Sequence, residues 1–82
     1  MTNNEKIYLL DKCIKKYGNA IIKLKERKYF DCLIELGKAK ELQEIIEEFI
    51  DCQPSKYYKK HKLIVLLSNE MEDYINLGKI KI

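Results

Sequence analysis

His61 is the only histidine in the chain. It lies in the run SKYYKKHK, Ser55 to Lys62, together with Lys56, Lys59, Lys60, Lys62, Tyr57 and Tyr58. An imidazole can act as a general base, ligate a metal or change charge near neutral pH. In the sequence its neighbours are lysines and apolar residues, with no carboxylate or thiol to orient it or be activated by it. The ring therefore reads as a surface side chain on the first turns of a helix. The lysines and tyrosines suggest another chemistry. They combine positive charge with flat aromatic surface, which suits an anionic partner, either nucleic acid or an acidic protein.

Other reactive groups form no constellation. Glu44, Glu47, Glu48 and Asp51 fall close together on one helix, but no E-x-x-H accompanies them, so they read as a solvated acidic face rather than a metal site. Cys13, Cys32 and Cys52 are an odd number of thiols with no C-x-x-C pair. That spacing suits neither a disulfide framework nor zinc, and buried thiols in a reducing compartment are expected. The three glycines stand apart and build no phosphate loop. No cofactor is expected.

The elements that must carry these residues are legible as three apolar seams. Ile7, Leu10, Ile14, Tyr17, Ile21 and Leu24 alternate steps of three and four, which predicts one helix over about 4–27, capped by Asn3 or Asn4. The seam keeps its phase across Gly18, so that glycine is expected inside the helix, where it leaves room for another backbone to approach. The charged run KERK, Lys25 to Lys28, marks the turn. A second seam, Tyr29 or Phe30, Leu33, Leu36, Ala39, Leu42, Ile46 and Phe49 or Ile50, predicts a helix over about 29–51 that passes through Gly37. Pro54 closes the segment. The third helix is expected over about 55–77, with Ser55 as its cap. Its seam is Tyr57, Ile64, Leu67, Met71, Tyr74 and Leu77, widened by Leu63 and Leu66. Gly78 is its stop, and the final KIKI is a short frayed tail.

The fold expected is a single all-α domain over residues 1–82. It is either an antiparallel up-down-up bundle or an extended helical hairpin with a third arm. A chain of 82 residues builds only a small core, so pairing with a copy of itself is a further expectation. The longest apolar run, Leu63 to Leu67, is far short of the roughly 20 residues of a membrane span, and the N-terminus lacks the pattern of a secretory signal. The expected location is the cytoplasm.

Charge is segregated. Residues 1–28 carry a net +5, residues 29–53 a net −5 and residues 54–82 a net +3. An acidic helix between two basic ones favours antiparallel docking of neighbours. It also offers the acidic half of helix two as counter-charge for the lysines of SKYYKKHK, which sit at the positive end of helix three. The basic excess is mild, and Arg27 is the only arginine, which weighs against a dedicated nucleic-acid binder.

The stretch VLLSNEMEDYI, Val65 to Ile75, resembles the second helix of the small two-helix phosphatases that dephosphorylate a sporulation response regulator. Their signature is Ser-Gln-Glu-Leu-Asp on a helix. Ser68, Glu70 and Met71 stand at matching positions, Asn69 replaces the glutamine, and Glu72 replaces the aspartate with Asp73 one place later. This resemblance covers about residues 40–77 and implies phosphate release that depends on Ser68 and Glu70.

Taken whole, the chain resembles the cytoplasmic lysis-inhibition accessory proteins (antiholins) of the T-even bacteriophages. The resemblance lies in the length, the start MTNNEKIYLLDKCIKKYG, the composition rich in lysine and isoleucine, and the all-helical pattern. It implies a protein of the infected host's cytoplasm that binds the short cytoplasmic domain of the phage holin, a membrane protein, and helps delay lysis. It implies neither catalysis nor a cofactor. The function expected first is a non-catalytic regulator that binds a protein partner. The expected contact residues are Lys56, Tyr58, Lys59, Lys60 and Lys62 at the start of helix three, with Lys12, Lys15, Lys16 and Lys23 of helix one.

Overall fold

The computed structural model describes residues 1–80. It contains α1 (Asn3–Lys25), α2 (Tyr29–Phe49) and α3 (Ser55–Asn76), and no strand among the described residues. Gly18 and Gly37 lie inside α1 and α2, as the unbroken seams require.

The helix ends have identifiable causes. Thr2, not Asn3 or Asn4, caps α1. Its hydroxyl accepts from the Glu5 backbone N–H at 3.1 Å, and the Glu5 carboxylate accepts from the Thr2 N–H at 3.0 Å. This is a capping box, which satisfies two donors at once. Helix α1 ends at Lys25, two residues before the expected Arg27. The Arg27 N–H donates to the Leu24 carbonyl at 3.0 Å, and the Lys28 N–H donates to the Lys23 carbonyl at 2.8 Å. That pair of bonds is a Schellman motif, and it places Arg27 at φ 60 in the left-handed region. The same motif closes α3. There Gly78 takes the left-handed position at φ 69, and the Lys79 N–H reaches the Tyr74 carbonyl at 2.9 Å.

Helix α2 ends at Phe49 rather than Asp51, because Ile50 is already extended. The Asp51 carboxylate then accepts from the Gln53 N–H at 3.0 Å, turning the chain toward Pro54. Ser55 is the first residue of α3 and not its cap. Pro54 holds the cap position, and its carbonyl accepts from the Tyr57 and Tyr58 N–H groups at 2.9 and 3.0 Å.

Helix α1 packs against both α2 and α3, while α2 and α3 scarcely approach each other. Tyr57 reaches Asn3 and Lys60 reaches Asp11, so α1 and α3 start at the same end and run parallel. Helix α2 runs back between their ends, with the Cys13 thiol donating to the Ala39 carbonyl at 3.4 Å. The result is an up-down-up bundle of 39 × 18 × 18 Å.

The core follows the seams, with corrections. Leu10, Cys13, Tyr17, Ala20, Ile21 and Leu24 of α1 are buried, a broader face than the predicted seam because α1 has two neighbours. Cys32, Leu36, Ala39, Ile46 and Ile50 come from the second segment, and Tyr57, Ile64 and Met71 from α3. Of the two open choices, Tyr29 and Ile50 pack inward, while Phe30 and Phe49 are exposed. Leu63 and Leu66 do not widen the α3 seam, and Leu77, expected in the seam itself, lies past the end of the helix; all three are exposed. Ile80 packs on the core, so the tail is docked there, and Lys81 and Ile82 lie outside the described residues.

The expected close backbone approach at Gly18 is absent: a Cβ added at Gly18 or Gly37 meets nothing within 4 Å. Both positions are therefore helical sites where alanine fits. Gly18→Ala and Gly37→Ala should each raise stability in urea unfolding by about 0.4–1 kcal/mol. Arg27→Gly should add about 1 kcal/mol by relieving its left-handed backbone, whereas Gly78→Ala should lower stability.

Candidate protein-interaction surface

The start of α3 is seated on the start of α1 by its first aromatic residue. Tyr57 is buried, and its hydroxyl donates to the Asn3 side-chain oxygen. The ammonium groups of Lys56 and Lys6 stand 5.1 and 5.7 Å from its ring centroid, within cation–π range. One turn on, the Lys60 ammonium donates to the Asp11 carboxylate at 2.6 Å. Both partners are partly exposed, so this pair contributes at most about 1 kcal/mol. Its consequence is positional, because it sets the first turns of α3 beside the first half of α1, the half that carries Lys12 and Lys15.

The counter-charge for SKYYKKHK is thus Asp11 of α1, and not the acidic half of α2. No ion pair joins α3 to α2 among the described residues. The reason is the packing order: α3 docks on α1, and its lysines follow.

The nine expected contact residues divide. Lys12 and Lys15 line a shallow groove on α1 with Tyr8, Asp11 and Lys16, and the Lys12 ammonium lies 5.7 Å from the Tyr8 ring centroid. Lys56 lies one turn before Lys60 on the same side of α3. Lys16 is instead held by Glu35 of α2 at 3.4 Å and serves the fold. Lys23 is likewise paired, with Glu26 at 3.8 Å. Tyr58 and Lys62 stand two positions either side of Lys60, which on a helix is the opposite side. Lys59 lies between these two faces and is exposed.

Tyr8, Lys12 and Lys15 thus border Asp11 on α1, Lys60 reaches that carboxylate from α3, and Lys56 lies one turn before Lys60 against the Tyr57 ring. Sequence reasoning passed over Tyr8, which is exposed. The available signal was a large aromatic residue placed off the α1 seam.

His61 is not a surface residue. It is half-buried, and its Nε2 is enclosed without a hydrogen-bond partner. Its place one turn after the buried Tyr57 carries it to the inward edge of α3.

Ser68 and Glu70 do not share a site. Ser68 lines an open groove between α2 and α3 with Tyr17, Lys40, Gln43, Glu44, Glu47, Glu48 and Glu72. A groove so rich in carboxylates repels a phosphoryl group. Glu70, two positions on, points elsewhere and accepts from the Tyr74 hydroxyl at 2.9 Å, a bond that holds the Tyr74 phenol above its ordinary pKa.

The three thiols are free. Burial pushes Cys13 up to about 12 and raises Cys32. Cys52 is raised by its partial burial and then by the carboxylate of Asp51. All three stay protonated at neutral pH and are poor nucleophiles.

Comparison with protein-family models, curated proteins and solved structures returns no match.

A thiol reagent at mildly alkaline pH should modify Cys52 first, and Cys13 and Cys32 only as fast as the bundle opens. Stability should also depend on pH. The Cys13 thiol titrates near 9.0 when unfolded and near 12 when folded. The native state holds the proton longer, so this contribution is complete below the unfolded value and is lost as pH climbs from there toward the folded one. Urea midpoints measured across that window should fall, and Cys13→Ala should flatten the fall.

Proposed function

We propose that this chain is a non-catalytic regulator that works by binding a protein partner through the lysine-bearing end of its bundle. The observation that carries this is the Asp11–Lys60 contact, which joins the lysine run of α3 to the groove of Lys12 and Lys15 on α1, with Lys56 one turn before Lys60. Lys12, Lys15 and Lys56 make no ion pair among the described residues. Their charge, beside the exposed ring of Tyr8, suits an acidic segment with an apolar or aromatic residue in it.

The partner class follows from the resemblance to the T-even antiholins. It is the short cytoplasmic domain of a membrane protein, and in that family's case the holin. No described helix of this chain is long and apolar enough to cross a membrane itself. The mechanism is occupancy. A bound regulator shifts its target between assembly states by the difference in its affinity for them. For a holin, the favoured state is the one that has not yet opened, and lysis is delayed.

The test is capture from the native cell followed by mass spectrometry, repeated with charge-reversed variants. A membrane protein should co-elute. Lys15→Glu with Lys56→Glu should weaken its capture about tenfold, most clearly at low salt. Lys62→Glu, on the far side of α3, should change little. Capture that ignores the double reversal sinks the assigned surface. Steep salt-dependent binding to nucleic acid in place of a protein partner sinks the function.

A further inference from the structure

Helix α2 is apolar on two sides. One side is its core face. The other carries Phe30, Ile34, Ile45 and Phe49, which are 71%, 44%, 40% and 63% exposed. Lys38 and Glu41 lie between the two apolar pairs and are also exposed. These six residues follow one another by four, four, three, four and four positions. At about 100° per residue they fall within roughly 100° of helix surface, on the side turned away from the buried Cys32, Leu36, Ala39 and Ile46.

Read in either direction the stripe has the same order and spacing: Phe, Ile, a charge, the opposite charge, Ile, Phe. We propose that two copies of this chain associate through this face of α2, antiparallel about a two-fold axis that passes between Ala39 and Lys40. That axis sets Phe30 level with Phe49 of a second copy, Ile34 with its Ile45, and Lys38 with its Glu41. Each pairing occurs twice. Such self-complementarity is what an isologous contact demands, and a different protein imposes no such symmetry. The apolar pairs supply the drive, and the two central ion pairs set direction and register. Asp31 and Glu48 border the stripe on opposite edges, so the axis does not stack like charges. Lys38 and Glu41 share a shallow groove with Lys12 and Lys16 of α1, so the dimer face borders the partner-binding surface, but the proposal does not require that function.

Sedimentation equilibrium on the full chain, from micromolar to submillimolar concentration, tests it. A reversible dimer is expected. Ile34→Glu with Ile45→Glu should give a monomer of unchanged helicity. Lys38→Glu or Glu41→Lys alone should weaken the dimer about tenfold, and Lys38→Glu combined with Glu41→Lys should restore it. If the isoleucine variant fails to fold, the charge series decides, since Lys38 and Glu41 are exposed and carry no core role. A chain that stays monomeric at the highest concentration overturns the proposal. So does a dimer indifferent to these changes, or a charge exchange that does not restore association.

Discussion

Helix α1 is buried on two sides at once, and the rest of the bundle depends on it. Both other helices pack on α1 and scarcely touch each other. A helix with two neighbours needs a broad apolar face, and Cys13 and Ala20 supply the extra width beside the Leu10–Tyr17–Leu24 seam. Small side chains also let backbones come close. Cys13 reaches the Ala39 carbonyl directly, and both residues are fully enclosed. Tyr17 fills the middle of the core and still finds a partner for its hydroxyl in Gln43 at the groove between α2 and α3. An aromatic core residue with a polar tip can do this only where the core meets the surface.

The same arrangement explains what is left open. Because α2 and α3 each have one neighbour, each keeps a face without a partner. On α3 that face carries Leu63 and Leu66; on α2 it carries the Phe30–Phe49 stripe. Their gap is lined by carboxylates that do not need burial. Electrostatics plays a secondary part in holding the helices. The two inter-helix ion pairs, Lys16–Glu35 and Lys60–Asp11, are partly exposed and weak. What they decide is which lysines serve the fold and which face outward.

The candidate surface was only partly legible in the sequence. The lysines of α1 and α3 stand out by type and number. Their grouping does not, because it needs the parallel packing of two helices separated by a third in the chain. Tyr8 stands one turn before Lys12 on the same helix, a grouping that helical spacing alone makes legible, whereas Lys60 finds Asp11 only through that packing. His61 shows the same limit. Its sequence neighbours are lysines, yet the fold turns its Nε2 inward.

The chain's own periodicity determined three helices, their ends to within about two residues, and the continuity of α1 and α2 through Gly18 and Gly37. Those are local properties. Apolar spacing sets a helix phase, and proline, glycine and charged runs set its limits. Only the tertiary structure decided that α1 is the central helix, that Tyr29 and Ile50 rather than Phe30 and Phe49 enter the core, and that Arg27 takes a left-handed turn in place of glycine. The physical reason is common to all three. Periodicity records which residues share a side of a helix, but burial depends on how many neighbours that side meets and from which direction they come.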